Sequence, residues 1–232
     1  MTLRLGPLAF STSAEFALWF AAAASTGAGL PNPQIGAAEF VASAWPQDEA
    51  AADAIVEGLL LTLDKNGAAV RAEALRALQT ADTPAYRSRI PSLLGASWVD
   101  DAEPAGPPLG YGLTLSLLHG PGATDDATAR ALWAQRDRFG TRDLLLQTFC
   151  TAPIVKTVGV EVLRAEARAG RLDPAQIAPF GATLALYGGP AIAVEVGTML
   201  RGATAQDRAE FLRLATPWVG DRVADLKAAL GI

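Results

Sequence analysis

The stretch from Asp64 to Ala96, DKNGAAVRAEALRALQTADTPAYRSRIPSLLGA, constrains the fold more than any other part of the sequence. Apolar residues recur in it at i, i+4, i+7 and i+8, a spacing that a helix gathers on one face. These residues are Val70, Ala74, Ala77 and Leu78. Thr83 followed by Pro84 is a typical start of a second helix, because proline at the first helical position loses no hydrogen bond. The stretch therefore predicts an antiparallel helical pair and favours an all-α fold.

The ends of this pair can also be predicted. Asp64 or Asn66 can accept hydrogen bonds from the free N–H groups of the first turn, so either is expected to cap the first helix. That helix should end near Thr80. Pro91 should kink or split the second helix, because proline lacks the N–H that the helix interior requires.

The string from Val70 to Leu78, Val-Arg-x-x-Ala-x-x-Ala-Leu, resembles the first helix of a HEAT-type repeat. The length of the helix–turn–helix over residues 64–96 is also similar to that of such a repeat. The resemblance implies an array of antiparallel helix pairs, which presents grooves to other proteins. An irregular helical bundle is the alternative.

The rest of the chain reads as further helices separated by Gly and Pro. About eleven short helices in an array or bundle are expected, all within a single helical domain over residues 1–232. Residues 1–10 are expected to form an extended lead. The segment 98–109, WVDDAEPAGPPL, is the longest irregular stretch and a candidate hinge between two halves. The Gly188-Gly189-Pro190 sequence should stop one helix and start another.

Charge and hydropathy narrow the classes of partner. The net charge is −5, from 24 acidic and 19 basic residues, and the arginines are dispersed. Nucleic-acid backbones require concentrated positive charge, so no nucleic-acid partner is expected. The apolar run from Phe16 to Ala24 is shorter than the ~20 residues that cross a bilayer and follows an acidic residue, which is unusual for a signal sequence. We predict a buried core helix there, no membrane partner and a cytoplasmic location.

Cysteine and histidine each occur once, as Cys150 and His119. A CxxC redox pair and a cysteine zinc site are therefore excluded, and no metal or cofactor is expected. The segments 131–162 and 180–200 resemble helices of the carboxymuconolactone decarboxylase/AhpD-like group. Members of that group use a CxxC pair with a nearby histidine, or a histidine with acidic residues. Because the motif residues are missing here, the resemblance implies the helices without the peroxidase chemistry.

Six residues are the candidates for a functional site. His119 ends an apolar helix and, as the only histidine, is the candidate general base. The others are expected to line a binding surface around the 98–109 loop or at a helix break. They are Trp98, Asp100, Asp101, Tyr111 and Tyr187. Core packing, solvated loop acids and helix caps are the structural alternatives for all six.

Two functions follow from this inventory. The preferred one is a non-enzymatic scaffold or accessory subunit that binds another protein or a peptide, because the chain combines helices and 50% hydrophobic residues with no catalytic constellation. The alternative is a small-molecule binder or enzyme with a pocket between helices. The apolar content also favours a homodimer.

Overall fold

The computed structural model describes residues 2–102, 106–120, 124–140, 142–153 and 156–232. Of these residues, 74% are helical, which confirms the all-α prediction. The strands found among them are β1 (Leu3–Leu5) and β2 (Leu8–Phe10), an antiparallel hairpin in which Leu3 faces Phe10. The expected extended lead is therefore a hairpin, closed at Gly6 with a φ of 56°.

Contacts between residues divide the chain into two compact units, unit 1 (1–117) and unit 2 (118–232). The helices of unit 1 are α1 (Ser13–Thr26), α2 (Ala37–Ser43), α3 (Glu49–Lys65), α4 (Ala68–Ala81), α5 (Pro84–Leu93) and α6 (Leu109–His119), whose last two residues belong to unit 2. Those of unit 2 are α7 (Asp126–Ala134), α8 (Arg136–Phe139), α9 (Arg142–Thr151), α10 (Lys156–Arg168), α11 (Pro174–Met199), α12 (Ala205–Val219) and α13 (Val223–Leu230).

The two helices predicted over residues 64–96 are present as α4 and α5, but α4 packs mainly on α3 and α2. The four residues of its stripe are buried, and the Thr83 side chain accepts from the Tyr86 N–H at 3.2 Å, as expected for an N-cap. The predicted cap of α4 is wrong. Gly67 is the N-cap of α4, Asp64 lies inside α3, and the Asn66 amide donates to the Thr62 carbonyl at 2.7 Å. Asn66 thus closes α3 and does not start α4. Pro91 lies within α5, two residues before its last residue, Leu93.

An aromatic cluster fills unit 1 between the hairpin and α1. Five rings form six neighbouring pairs with centroids 5.4–6.4 Å apart, all of them tilted or edge-on, which is the arrangement that the ring quadrupole favours. They are Phe10, Phe16, Trp19, Phe20 and Phe40. Helix α3 comes close to this cluster at Gly58, where a Cβ atom would overlap the Phe16 ring and lie 2.8 Å from the Ser13 carbonyl oxygen.

In unit 2, α11 reverses direction at Gly189, whose φ of 69° and ψ of −159° are not helical. A Cβ atom at Gly181 would overlap the Val196 side chain, although these residues would lie about 22 Å apart along a continuous helix. The segment is therefore a hairpin with a first arm (174–188) and a second arm (190–199). The stop and restart predicted at this point are confirmed.

By length and composition alone, α11 is the one helix in the described part of the chain that could cross a membrane, with a mean hydropathy of 1.5 over its most apolar window. Core helices of soluble proteins can have the same length and apolar composition. The reversal at Gly189 makes each arm shorter than the ~20 residues that a membrane-spanning helix needs.

The predicted hinge segment is partly ordered. A 3-10 turn spans Ser97–Asp100, Ala102 bridges to Pro108, and the Leu109 N–H donates to the Asp101 carbonyl at 2.7 Å. Residues 103–105 lie outside the described residues. The boundary between the two units falls later, within α6. A hinge at 98–109 and a single domain over 1–232 stay predictions.

Candidate functional site

The predicted site residues are divided between the two units. Unit 1 holds Trp98, Asp100, Asp101 and Tyr111, and unit 2 holds His119 and Tyr187.

Arg71 organises the predicted residues of unit 1. Its Nε donates to the Leu63 carbonyl at 2.7 Å, its Nη1 lies 2.5 Å from the Asp101 carboxylate, and its guanidinium sits 5.8 Å from the centroid of the Trp98 ring. The arginine thus ties α4 to the end of α3 and to the start of the 98–109 loop. The sequence did not single out Arg71, because its partners Trp98 and Asp101 lie far away in the chain.

Trp98 is not a surface residue. Only 5% of it is exposed, and its indole N–H has no hydrogen-bond partner among the described residues. Asp101 serves as the counter-ion of Arg71. Asp100 is exposed, and Tyr111 is half-buried at the start of α6. The structure brings Trp98 and Asp101 together through Arg71, in an arrangement that holds the loop in place.

His119 is exposed in the last turn of α6. Its Nε2 lies 3.1 Å from the Thr148 carbonyl oxygen and 3.5 Å from the Thr151 hydroxyl. A carbonyl only accepts, so Nε2 carries the proton and Nδ1 is the nitrogen that could act as a base. The contacts hold the end of α6 on α9. A catalytic role of His119 stays a prediction.

Tyr187 lies at the end of the first arm of α11 and is 37% exposed. Lys156 Nζ lies 3.4 Å from its carbonyl oxygen. Leu186, beside it, is also exposed, as is Trp218 near the end of α12. Among these predicted residues of unit 2, no contact between His119 and Tyr187 is found.

The structure offers little to redox or metal chemistry in the part of the chain it describes. Cys150 is fully buried on α9, and burial raises the pKa of its thiol from 9.0 to about 12. A thiol with such a pKa is not a nucleophile at neutral pH. Within the described ranges, no group of three His, Cys, Asp or Glu residues is placed to hold a metal ion.

A surface that sequence reasoning missed lies between α1 and α3 in unit 1. It is a groove of about 460 Å³, which we call the α1–α3 groove. Its lining is largely apolar, and several of the lining side chains are small. The lining residues are Ala14, Ala17, Leu18, Ala21, Leu61, Thr62, Lys65 and Asn66.

Leu18 is the most exposed large apolar side chain of the described residues, at 76%. The polar lining residues use their groups within α3: the Thr62 hydroxyl donates to Gly58 at 2.9 Å, and the Asn66 amide donates to Thr62. Lys65 is the charged member, and no described residue forms an ion pair with it. The groove is therefore an apolar surface with one cation at the end nearest the C-terminus of α3.

The sequence holds a weak signal for this groove. Residues 16–24 are apolar on all sides of α1, so periodicity does not tell which face is buried. The stripe Ala14, Ala17, Leu18 and Ala21 has the i, i+3, i+4, i+7 spacing of a helix-binding face. Only the position of α3 shows that this stripe stays uncovered.

Comparison with protein-family models, with curated proteins and with solved structures gives no match for this chain.

Proposed function

We propose that this chain is a helical protein-binding module whose α1–α3 groove takes an amphipathic helix from a partner protein. The observation that carries the proposal is the exposure of Leu18 beside an apolar concavity lined by alanines. Covering a leucine side chain contributes about 1.5–3 kcal/mol, and small residues let a third helix approach closely. A binding scaffold built from HEAT-like helix pairs is part of this proposal.

The charged groups at the two ends of the groove determine which charges a partner helix should carry. Lys65 lies at one end without an ion pair among the described residues. At the other end, the Ser13 hydroxyl donates to the Glu57 carboxylate at 3.2 Å, across the two helices. A complementary helix would place an apolar residue over the alanines and an acidic residue towards Lys65. Leucine-rich helices with an acidic flank at one end are the class of segment that this surface fits.

The test uses a selected peptide. A phage library of helical peptides is selected on the wild-type chain, and the best binder is synthesised with fluorescein and measured by fluorescence anisotropy. Leu18→Glu should weaken binding at least tenfold, and Lys65→Glu should weaken it less. Ile232→Glu is the matched control, because Ile232 is also an exposed apolar residue, at 58%, outside the groove.

The proposal fails if the selected peptide binds Leu18→Glu and the wild type equally. Light scattering on the wild type and on Leu18→Glu tests whether a second copy of the chain occupies the groove instead. A wild-type dimer that becomes a monomer in Leu18→Glu would show that a second copy of the chain fills the groove, in place of a partner helix.

The alternative function, a small-molecule binder or enzyme around His119, has a simple test. If His119 belongs to a ligand site, any compound that raises the unfolding temperature should lose that effect in His119→Ala. An equal shift in both proteins would remove His119 from the site.

A further inference from the structure

Unit 2 contains a cavity of about 470 Å³, within the range of small-molecule sites. It lies between α10, the start of α11 and the turn that follows α11. Its lining residues are Arg164, Ala167, Arg168, Leu172, Pro174, Ile177, Thr198, Met199, Gly202 and Ala203. We call it the α10–α11 cavity.

The cavity has an apolar side and a cationic side. Leu172 and Ile177 are buried and supply the apolar side. Arg164 and Arg168 stand one turn apart on α10 and supply the cationic side. Arg164 is paired with Glu195. Arg168 makes no ion pair or hydrogen bond with any described residue.

The carboxylates on the elements that form the cavity are used by other partners. Glu166 is buried and accepts from Arg171 Nε and Nη2, each at 2.7 Å. The Asp173 carboxylate caps α11 by accepting from the Gln176 N–H at 2.9 Å. Glu195 is held by Arg164. Although the chain carries a net charge of −5, this cavity therefore presents a guanidinium, while the carboxylates on the elements that form it are engaged elsewhere.

We infer that the α10–α11 cavity binds a small organic anion, with its apolar group against Leu172 and Ile177 and its oxyanion on Arg168. A guanidinium offers a planar pair of N–H donors that matches carboxylate, sulfonate and phosphate oxygens. The Thr198 hydroxyl donates to the Glu195 carbonyl at 2.6 Å, so its oxygen remains an acceptor for a polar group on the ligand. The ligand class is an amphiphilic monoanion.

Two fluorescent probes separate the charged contact from the apolar one. The anion is 1-anilinonaphthalene-8-sulfonate, and N-phenyl-1-naphthylamine has the same rings without the sulfonate. We expect saturable binding of the anion with one site in unit 2. Arg168→Met should weaken the anion about five- to tenfold and change the affinity for the neutral probe by less than about twofold. Added salt should weaken only the anion, because Arg168 is exposed.

Matched variants keep the test specific. Arg89→Met removes an exposed arginine of unit 1 and should leave both affinities unchanged. Gly202→Phe should weaken both probes, because Gly202 lines the cavity and has no heavy atom within 4 Å of its Cβ position. Unchanged unfolding temperatures, within about 2 °C, would show that these variants fold.

Three results would overturn the inference. One is an absence of saturable binding of the anion. Another is an equal effect of Arg168→Met and Arg89→Met. The third is loss of anion binding in Leu18→Glu, which would place the probe in the α1–α3 groove. Chemical-shift changes on adding the anion should fall on residues 164–177 and 198–203 if the cavity is the site.

Discussion

In each unit, two helical segments pack closely at a glycine, but the groups that approach the glycine differ between the units. At Gly58 the approaching groups are a phenyl ring and the backbone carbonyl of Ser13, and at Gly181 they are the side chains of Val196 and Phe211. The surfaces left over also differ. In unit 1, α1 and α3 are separate helices and leave an apolar groove. In unit 2, the two arms of α11 pack on each other, and the neighbouring cavity carries arginines. Closely packed helices can thus border an apolar groove or a cationic cavity, and the side chains that line the surface decide which of the two forms.

The largest expected effects come from charges placed in each core. Leu78 in unit 1 and Leu163 in unit 2 are fully buried. Leu78→Asp and Leu163→Asp should each lower the free energy of unfolding by at least about 4 kcal/mol, because each buries an unpaired charge. Hydrogen exchange measured by mass spectrometry should show loss of protection in the unit that carries the substitution.

Ala69→Asp is the control for this pair, since Ala69 is exposed in the first turn of α4. If either core variant lost protection in both units, the two units would not differ in this respect, because the chain would unfold as one cooperative body. Unchanged stability of Leu78→Asp would show that the predicted stripe of α4 is wrong.

The glycine contacts should give smaller and graded effects. Gly58→Ala is expected to destabilise by about 2–3 kcal/mol, since the Ser13 carbonyl is backbone and cannot rotate away. Gly181→Ala should cost about 1–2 kcal/mol, because side chains can shift. Gly202→Ala, with open space at its Cβ position, should be within about 0.5 kcal/mol of the wild type. Urea unfolding measures all three, and equal losses for Gly58 and Gly181 would contradict the distinction.

The smallest effect, at most about 1.4 kcal/mol between pH 9 and 10, is a dependence on pH that differs between the units. Burial raises the pKa of Cys150 in unit 2 from 9.0 to about 12, and burial also raises the pKa of Tyr86 in unit 1. Above pH 9 the unfolded thiol loses its proton while the folded thiol keeps it, so stability falls by up to about 1.4 kcal/mol per pH unit. For Tyr86 the corresponding loss begins above pH 10.

Cys150→Ala should remove the loss that begins at pH 9, and Tyr86→Phe should reduce only the loss above pH 10. The slope of unfolding free energy against pH is the quantity to compare, since each substitution also changes the packing. Equal slopes for Cys150→Ala and the wild type between pH 9 and 10 would show that Cys150 is accessible to solvent.

Much of the fold could be predicted because its signals are local. The stripe from Val70 to Leu78, the Thr83 cap and the reversal at Gly189 each depend on a few adjacent residues. The N-terminal hairpin was not predicted because three-residue strands are too short to show alternation. Gly67 was missed as a cap because its neighbour Asn66 carries the more typical capping side chain.

The candidate sites depended on contacts between distant residues. Trp98 looked exposed because it borders a segment rich in Pro and acidic residues, but Arg71 and the 3-10 turn at Ser97–Asp100 hold it inside. Leu18 looked like a core residue because α1 is apolar on all sides. However, α3 covers only part of α1 and leaves Leu18 exposed. Neither outcome can be read from sequence spacing alone.

The reversal of α11 also determines how far this segment can reach. As one straight helix, its 26 residues would make an apolar rod about 39 Å long, more than the ~30 Å hydrocarbon core of a bilayer. Folded back at Gly189, the same residues give two stubs, the longer of about 22 Å. The turn at Gly189 therefore converts an apolar stretch of membrane length into two short helices. We expect slow closure of this turn to favour aggregation of the newly made protein.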